Sequence, residues 1–243
     1  MLRTITKDEL KIILDNHTLW LNNKGGSKAD LSSADLRSAD LLSTDLRSAD
    51  LSSANLRSAN LRYANLRFAN LRSANLRSAN LSYANLRSAN LSYANLRYAN
   101  LRSADLRYAN LSYANLSSAN LRYANLRSAD LRYADLSSAN LSFANLRYAN
   151  LLYADLRSAD LLSTDLSSAN LSSADLDKKY VQISCIGSRK GITTYCIDDD
   201  FIWCACWTGN IKDFEKRVRE THKENKQYLK EYLGAIKYFK SLK

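Results

Sequence analysis

A leucine recurs at every fifth residue from Leu31 to Leu176, thirty positions without a gap. An alanine stands two residues before each leucine, with Thr44 and Thr164 as the exceptions. The residue between them is always acidic or its amide, 12 Asp and 18 Asn. The two residues after each leucine are mostly Ser, Arg, Tyr or Phe, and all six glycines lie outside this block. Neither regular element can use a period of five. In an α-helix, successive leucines would be offset by about 140° and would cover every side. In a straight strand an odd period sends alternate leucines to opposite faces. Asn, Asp and Ser also compete with the backbone for hydrogen bonds inside a helix.

A chain that turns a corner every five residues resolves the conflict. Each short side points one Leu and one Ala inward and leaves three residues outside, with the Asn or Asp position favouring a tight turn. Stacked coils then pair backbone groups at a spacing of roughly 4.8 Å. The expectation is a solenoid stabilised by contacts between neighbouring coils.

The Ala-Asp/Asn-Leu-x-x units, such as Ala54-Asn55-Leu56-Arg57-Ser58, resemble the pentapeptide repeat family over about 60% of the chain. The resemblance implies an all-β solenoid, a right-handed quadrilateral β-helix with four units per coil. Thirty units then make seven and a half coils, about 36 Å tall at the usual strand spacing. The four-unit coil comes from the resemblance alone. Arg–Arg matches at a separation of 20 residues number nine, against seven at 15 and ten at 25, so the arginine pattern does not select it.

Residues 1–28 read as an N-terminal helical cap. Thr6 and Glu9 form a capping-box pattern, Leu10, Ile13, Leu14 and Leu21 recur at helical spacing, and Gly25-Gly26 stops the helix. Its apolar face would cover the open end of the first coil, an otherwise adhesive sheet edge. Residues 29–177 are the repeat and residues 178–243 a small α+β C-terminal capping segment. In the latter, Tyr180–Ile186, Thr193–Ile197 and Phe201–Trp207 read as three antiparallel strands, separated by Gly187–Gly191 and by Asp198–Asp200. Asn210 then caps a helix carrying Ile211, Phe214 and Val218, and a second helix carries Leu229, Leu233 and Ile236. This segment resembles the C-terminal extension of some bacterial and phage pentapeptide repeat proteins.

No stretch approaches the roughly 20 apolar residues of a membrane span. The N-terminus has no long apolar run or cleavage signal, and four cysteines are too few for a disulfide framework, so a reducing cytoplasm is the expected compartment. The net charge of +11 permits acidic partners.

Sixteen arginines occupy the outward position after leucine. With 20-residue coils, Arg47, Arg67, Arg87, Arg107, Arg127 and Arg147 form one column, with Phe68, Tyr108 and Tyr148 beside it. A basic stripe interleaved with aromatic rings is suited to nucleic-acid backbone and stacked bases. The plainer reading is a soluble face that prevents sheet-to-sheet aggregation. Tyr93, Tyr113, Tyr133 and Tyr153 form a second column, either a partner surface or, more simply, a ladder that stabilises neighbouring rungs. Some members of the resembled family mimic DNA with an acidic surface and so inhibit or shield type II topoisomerases. This repeat carries 16 Arg against 13 Asp, and Asn alone occupies the polar position from Asn55 to Asn100, a charge pattern that disfavours acidic mimicry.

Cys185, Cys196, Cys204 and Cys206 could supply thiolates to zinc, but Cys-x-Cys is not the usual knuckle spacing and no histidine is close, so no metal is expected. Asp198–Asp200 could hold a cation, and a solvated hairpin turn explains it equally well. His17 reads as a packed residue of the N-terminal helix and His222 as solvated. No histidine is placed to activate the many serines, and the repeat has no phosphate-binding glycine loop. The expectation is a non-enzymatic binding or structural scaffold, monomeric or dimeric, with no cofactor. Its partner is unknown, with a protein, or less readily a nucleic acid, as the candidates and no membrane. The alternative is a nucleic-acid or topoisomerase-associated role through the arginine column.

Overall fold

The computed structural model describes residues 2–186, 191–204 and 207–242. The chain divides into two compact units, Met1–Asp175 and Leu176–Lys243. The first opens with β1 (Arg3–Thr4), α1 (Lys7–Leu21) and β2 (Ala34–Asp35). From there an unbroken series of parallel bridges joins each polar repeat position to the one 20 residues on, from Asp30↔Asp50 to Asp155↔Asp175. Each coil therefore holds four five-residue units, which the arginine spacing had left undecided.

The hydrogen bonds explain the unit residue by residue. In the unit around Leu56, the Leu56 amide donates to the Asn75 carbonyl and the Ser58 amide to the Arg77 carbonyl, both one coil on. The Asn55 amide donates to the Ala34 carbonyl one coil back, and the Ala59 amide closes a local turn on the Leu56 carbonyl. The fifth amide, Arg57, donates to the side-chain Oδ1 of Asn55. All five N–H groups are thus paired, as a buried backbone requires. The polar position supplies an acceptor that Asp and Asn share, which accounts for their interchange. Along some columns the amides form a ladder as well, Asn60 to Asp40 at 2.9 Å and Asn75 to Asn55 at 3.2 Å.

The turn has a backbone cost that the sequence reading did not anticipate. The second residue after each leucine from Leu31 to Leu171 has a positive φ, from Ser33 at 52° to Tyr123 at 62°. Such a conformation costs an ordinary L-residue on the order of 1 kcal/mol and persists only where surrounding bonds fix it. Here Ser, Tyr and Phe fill it and no β-branched residue does, consistent with the crowding a branched Cβ meets there.

The leucines from Leu31 to Leu161 are buried, as are nearly all their alanine partners, while Leu166, Leu171 and Leu176 are half-buried. Thr164, standing in for alanine, is buried and donates through Oγ1 to the Leu141 carbonyl at 2.8 Å. The capping box forms in full between Thr6 and Glu9. Leu10, Ile13, Leu14 and Leu21 are half-buried, and β1 pairs in parallel with β2 at the start of the stack. His17 is fully buried, stacks on Trp20 at 5.5 Å and accepts from the Ala29 amide through Nδ1 at 3.1 Å.

In the second unit, β3 (Tyr180–Ile186), β4 (Gly191–Cys196), β5 (Phe201–Cys204) and β6 (Trp207–Asn210) form an antiparallel sheet in sequence order. This corrects the three-strand reading. Phe201–Trp207 is two strands, with Cys204 opposite Trp207. The intervening Ala-Cys carries none of the Gly, Asn or Asp that signals a tight hairpin, so the break was invisible. The Gly187–Lys190 part of the first expected loop lies outside the described residues. Helices α2 (Ile211–Thr221) and α3 (Lys226–Lys240) follow, each capped by an asparagine, Asn210 or Asn225. Tyr195, Ile202, Phe214, Val218, Ile236 and Phe239 form the core of this unit. Among the described residues no helix is long and apolar enough to cross a membrane.

Three outcomes test this account. Leu91→Lys puts an unpaired charge into a fully buried rung and should unfold neighbouring coils. Asn110→Asp should be tolerated, but Asn110→Ala strips the acceptor from both the amide and the hydroxyl of Ser112. Thermal denaturation should show a loss of about 1–3 kcal/mol for the alanine variant, and equal stability of the two Asn110 variants would remove the side chain from the account. The third outcome concerns pH. Burial lowers the pKa of His17, against an opposing pull from Asp45. The unfolded chain takes up this proton below about pH 6.5 while the folded chain resists it, so stability is complete above that pH and falls as pH drops through it. His17→Gln keeps an acceptor but cannot titrate. Protection of the Ala29 amide from exchange should decline on acidification in the parent chain and stay level in the variant.

Candidate functional site

The 20-residue register sorts the outward side chains into four faces, named here by their first polar residue, Asp30, Asp35, Asp40 or Asp45. The Asp45 face brings together Arg47, Arg67, Arg87, Arg107, Arg127 and Arg147 on successive rungs. It carries six arginines against Asp45, Asp105 and Asp165, an excess of three. That equals the excess of the whole repeat, so the other three faces together are neutral.

The six arginines are not equivalent. Arg47 pairs with Asp45 at 2.8 Å and Arg107 with Asp105 at 2.6 Å. The Arg107 contact is a two-pronged fork, Nε to Oδ1 at 2.8 Å and Nη2 to Oδ2 at 2.6 Å. Burial works to raise the Asp105 pKa, but the hydrogen bonds from Arg107 outweigh it and hold the carboxyl below its usual range. The other four sit on aromatic rings. Arg67 lies 4.5 Å from the Phe68 centroid, Arg87 5.6 Å from Tyr108, and Arg127 and Arg147 lie 5.6 and 4.8 Å from Tyr148. Arg147 also donates to the Tyr148 hydroxyl at 2.9 Å. A ring holds a guanidinium by its quadrupole without cancelling its charge. Apart from the Arg147 bond to Tyr148, the donors of these four groups stay available, while each ring expected to stack bases already carries a guanidinium.

The same division runs through the whole repeat. All five arginines that follow an Asp, at 37, 47, 107, 132 and 157, are paired with that Asp. Ten of the eleven that follow an Asn lie over an aromatic ring of their own unit or the next coil. In the sequence Asp and Asn here read as turn formers and as a net charge balance, not as partners of individual arginines. The available signal was an Asp two residues before an Arg.

Tyr93, Tyr113, Tyr133 and Tyr153 stack on the Asp30 face with centroids 4.9, 4.8 and 5.1 Å apart and planes within 15°. Their ring faces cover one another and the side chains are exposed.

The remaining candidates resolve individually. Cys196 is buried opposite Phe201, and Cys204 lies opposite Thr193, whose hydroxyl donates to its Sγ at 3.2 Å. Cys206 and the side chain of Cys185 lie outside the described residues. Asp198 accepts from the Lys179 amide, Asp199 pairs with Lys178, and Asp200 accepts from the Tyr195 hydroxyl. Among the described residues no group of His, Cys, Asp and Glu is arranged to hold a metal. His222 is not solvated as expected. It caps the end of α2, half-buried, with its ring stacked on Tyr232 at 5.1 Å.

Among solved structures, the trypsin-treated form of QnrB1, described as a plasmid-mediated fluoroquinolone resistance protein, is 23% identical, with 61% of this chain and 77% of that chain covered and a TM-score of 0.48. HetL from Nostoc sp. strain PCC 7120, described as a pentapeptide repeat protein involved in heterocyst differentiation regulation, is 37% identical over 61% of this chain and 83% of its own, with a TM-score of 0.25. No curated protein matches the chain. The family described as pentapeptide repeats (8 copies) matches residues 27–52 and, in overlapping copies, 54–177. With that match over more than half of its length, and with a five-residue unit closed four to a coil, the chain belongs to the pentapeptide repeat family.

Proposed function

We propose that this protein is a non-enzymatic binding scaffold whose working surface is the Asp45 face, where Arg67, Arg87, Arg127 and Arg147 hold the phosphate backbone of a nucleic acid. The observation that carries the reading is the four guanidinium groups fixed on aromatic rings, on the one face with a clear excess of positive charge. Held groups lose less side-chain entropy on meeting an oxyanion than free ones. From Arg67 to Arg147 the row spans four rungs, about 19 Å at strand spacing. With a guanidinium already on each of its rings, the surface is suited to backbone before bases, and such recognition is indifferent to sequence. Acidic mimicry of DNA does not fit this face, and a topoisomerase-associated role would have to run through bound nucleic acid. The tyrosine ladder is assigned to rung stabilisation, since its stacked faces are already used. The serines of the repeat serve the turns, where Ser82, Ser92, Ser112 and Ser142 donate to the preceding asparagine. That leaves no activated nucleophile among them.

The test is a charge-matched comparison. Replacing Arg67, Arg87, Arg127 and Arg147 with Gln and, separately, Arg37, Arg47, Arg132 and Arg157 with Gln removes the same formal charge. Binding of a mixed-sequence duplex should weaken steeply with salt in the parent chain. The slope of log affinity against log salt should drop by about 3–4 in the first variant, near 0.9 per lost phosphate contact, and far less in the second. Absence of binding at low salt, or equal losses in the two variants, would falsify the assignment.

A further inference from the structure

Two kinds of unit differ at one position and place their arginine differently. Asp105-Leu106-Arg107-Tyr108 and Asp130-Leu131-Arg132-Tyr133 send the guanidinium to the aspartate, at 2.6 and 2.7 Å. Asn60-Leu61-Arg62-Tyr63, Asn95-Leu96-Arg97-Tyr98, Asn120-Leu121-Arg122-Tyr123 and Asn145-Leu146-Arg147-Tyr148 fold it onto their own tyrosine, at 4.7, 4.7, 4.8 and 4.8 Å, with a hydrogen bond to the phenol oxygen in each. The leucine, arginine and tyrosine are the same in all six, so the carboxylate decides. A carboxylate two residues back takes the planar fork of the guanidinium in both prongs, which an amide with one acceptor oxygen cannot do. Either side chain still accepts from the arginine amide, as Asp105 does at 3.2 Å and Asn145 at 3.0 Å. The choice between them therefore leaves the coil intact and changes only the arginine.

We propose that the polar position of each unit determines whether its arginine is open to an oxyanion, and that Asp105 is the specificity-determining residue of the Asp45 face, breaking its row by capturing Arg107. The inference rests on the nucleic-acid reading above. Asp105 splits the face into two arginine pairs, Arg67 with Arg87 and Arg127 with Arg147, on either side of a neutral rung. Opening the Arg107 pair would not restore the row, because the carboxylate left behind repels phosphate.

The same face provides its own control. Asp165 carries an equal charge, but its unit has Ser167 where an arginine would stand. Asp105→Asn and Asp165→Asn remove the same charge from the same face, and only the first frees a guanidinium. With a mixed-sequence duplex as probe, Asp105→Asn should steepen the salt slope by about 0.9, so that its advantage over the parent chain shrinks about threefold between about 50 and 200 mM salt. Asp165→Asn should leave the slope where it was. Conversely, Asn85→Asp should capture Arg87 and flatten the slope by a similar amount. The positioning claim has its own readout in the NMR resonance of the Arg107 side-chain Nε–H, which should lose its carboxylate-bonded shift in Asp105→Asn and move toward that of Arg147. Equal slopes for the two Asp→Asn variants would overturn the role of Asp105. An unmoved Arg107 resonance would overturn the positioning rule. If no variant binds DNA while the resonance moves as expected, the nucleic-acid reading fails and the positioning rule stands.

Discussion

The structure depends on one hydrogen bond repeated along the stack, from the amide after each leucine to the side-chain oxygen of the Asp or Asn before it. The other four amides of a unit have backbone partners, three of them in neighbouring coils. The amide after the leucine is bonded to no carbonyl, and the Asx side chain supplies its acceptor. Without it each corner would leave a donor unsatisfied, and the loss would recur at every unit. With it, a five-residue side becomes a closed circuit, and the leucine and alanine can face inward on every side of the coil.

That circuit also fixes the strained residue of each turn. A lone serine or tyrosine at positive φ would relax, but here its amide is bonded to the next coil, as Tyr93 is to the Ser112 carbonyl and Ser88 to the Arg107 carbonyl. Strain spread over the stack is held by bonds between coils, so a coil is stable only with a neighbour, as expected of solenoids. The fixed turn in turn sets the direction of the side chains that follow each leucine. They stand in straight columns at rung spacing, and the tyrosine ladder and the arginine row are both products of that alignment.

The polar position thus has two roles. For the fold, Asp and Asn are equivalent acceptors. For the surface they are opposites, because only the carboxylate competes for the guanidinium. An exposed ion pair of this kind adds little stability. Beyond the inter-coil bonds that only asparagine donates, the distribution of Asp and Asn along a face is therefore lightly constrained by folding and can be tuned for what the face binds. The all-Asn stretch from Asn55 to Asn100 leaves its arginines uncancelled, while aspartate predominates toward both ends of the repeat.

The five-residue period by itself determined that the block is a solenoid, because it is incompatible with helix and strand alike. Local signals likewise located α1 through its Thr6–Glu9 box and α2 through Asn210. Everything that required knowledge of what lies 20 residues away was decided by the tertiary structure. The units are too alike for their sequence to show the coil length, which the bridges set. The fate of each arginine depends partly on its own Asp or Asn, which is written in the chain. It depends also on rings one coil on, such as Tyr108 for Arg87, which only stacking brings near. The hairpin between β5 and β6 was hidden for a related reason. Its pairing of Cys204 with Trp207 comes from cross-strand registration in the sheet, where no turn residue announces it. Local chemistry specifies the unit, and the register between coils and strands specifies which units meet.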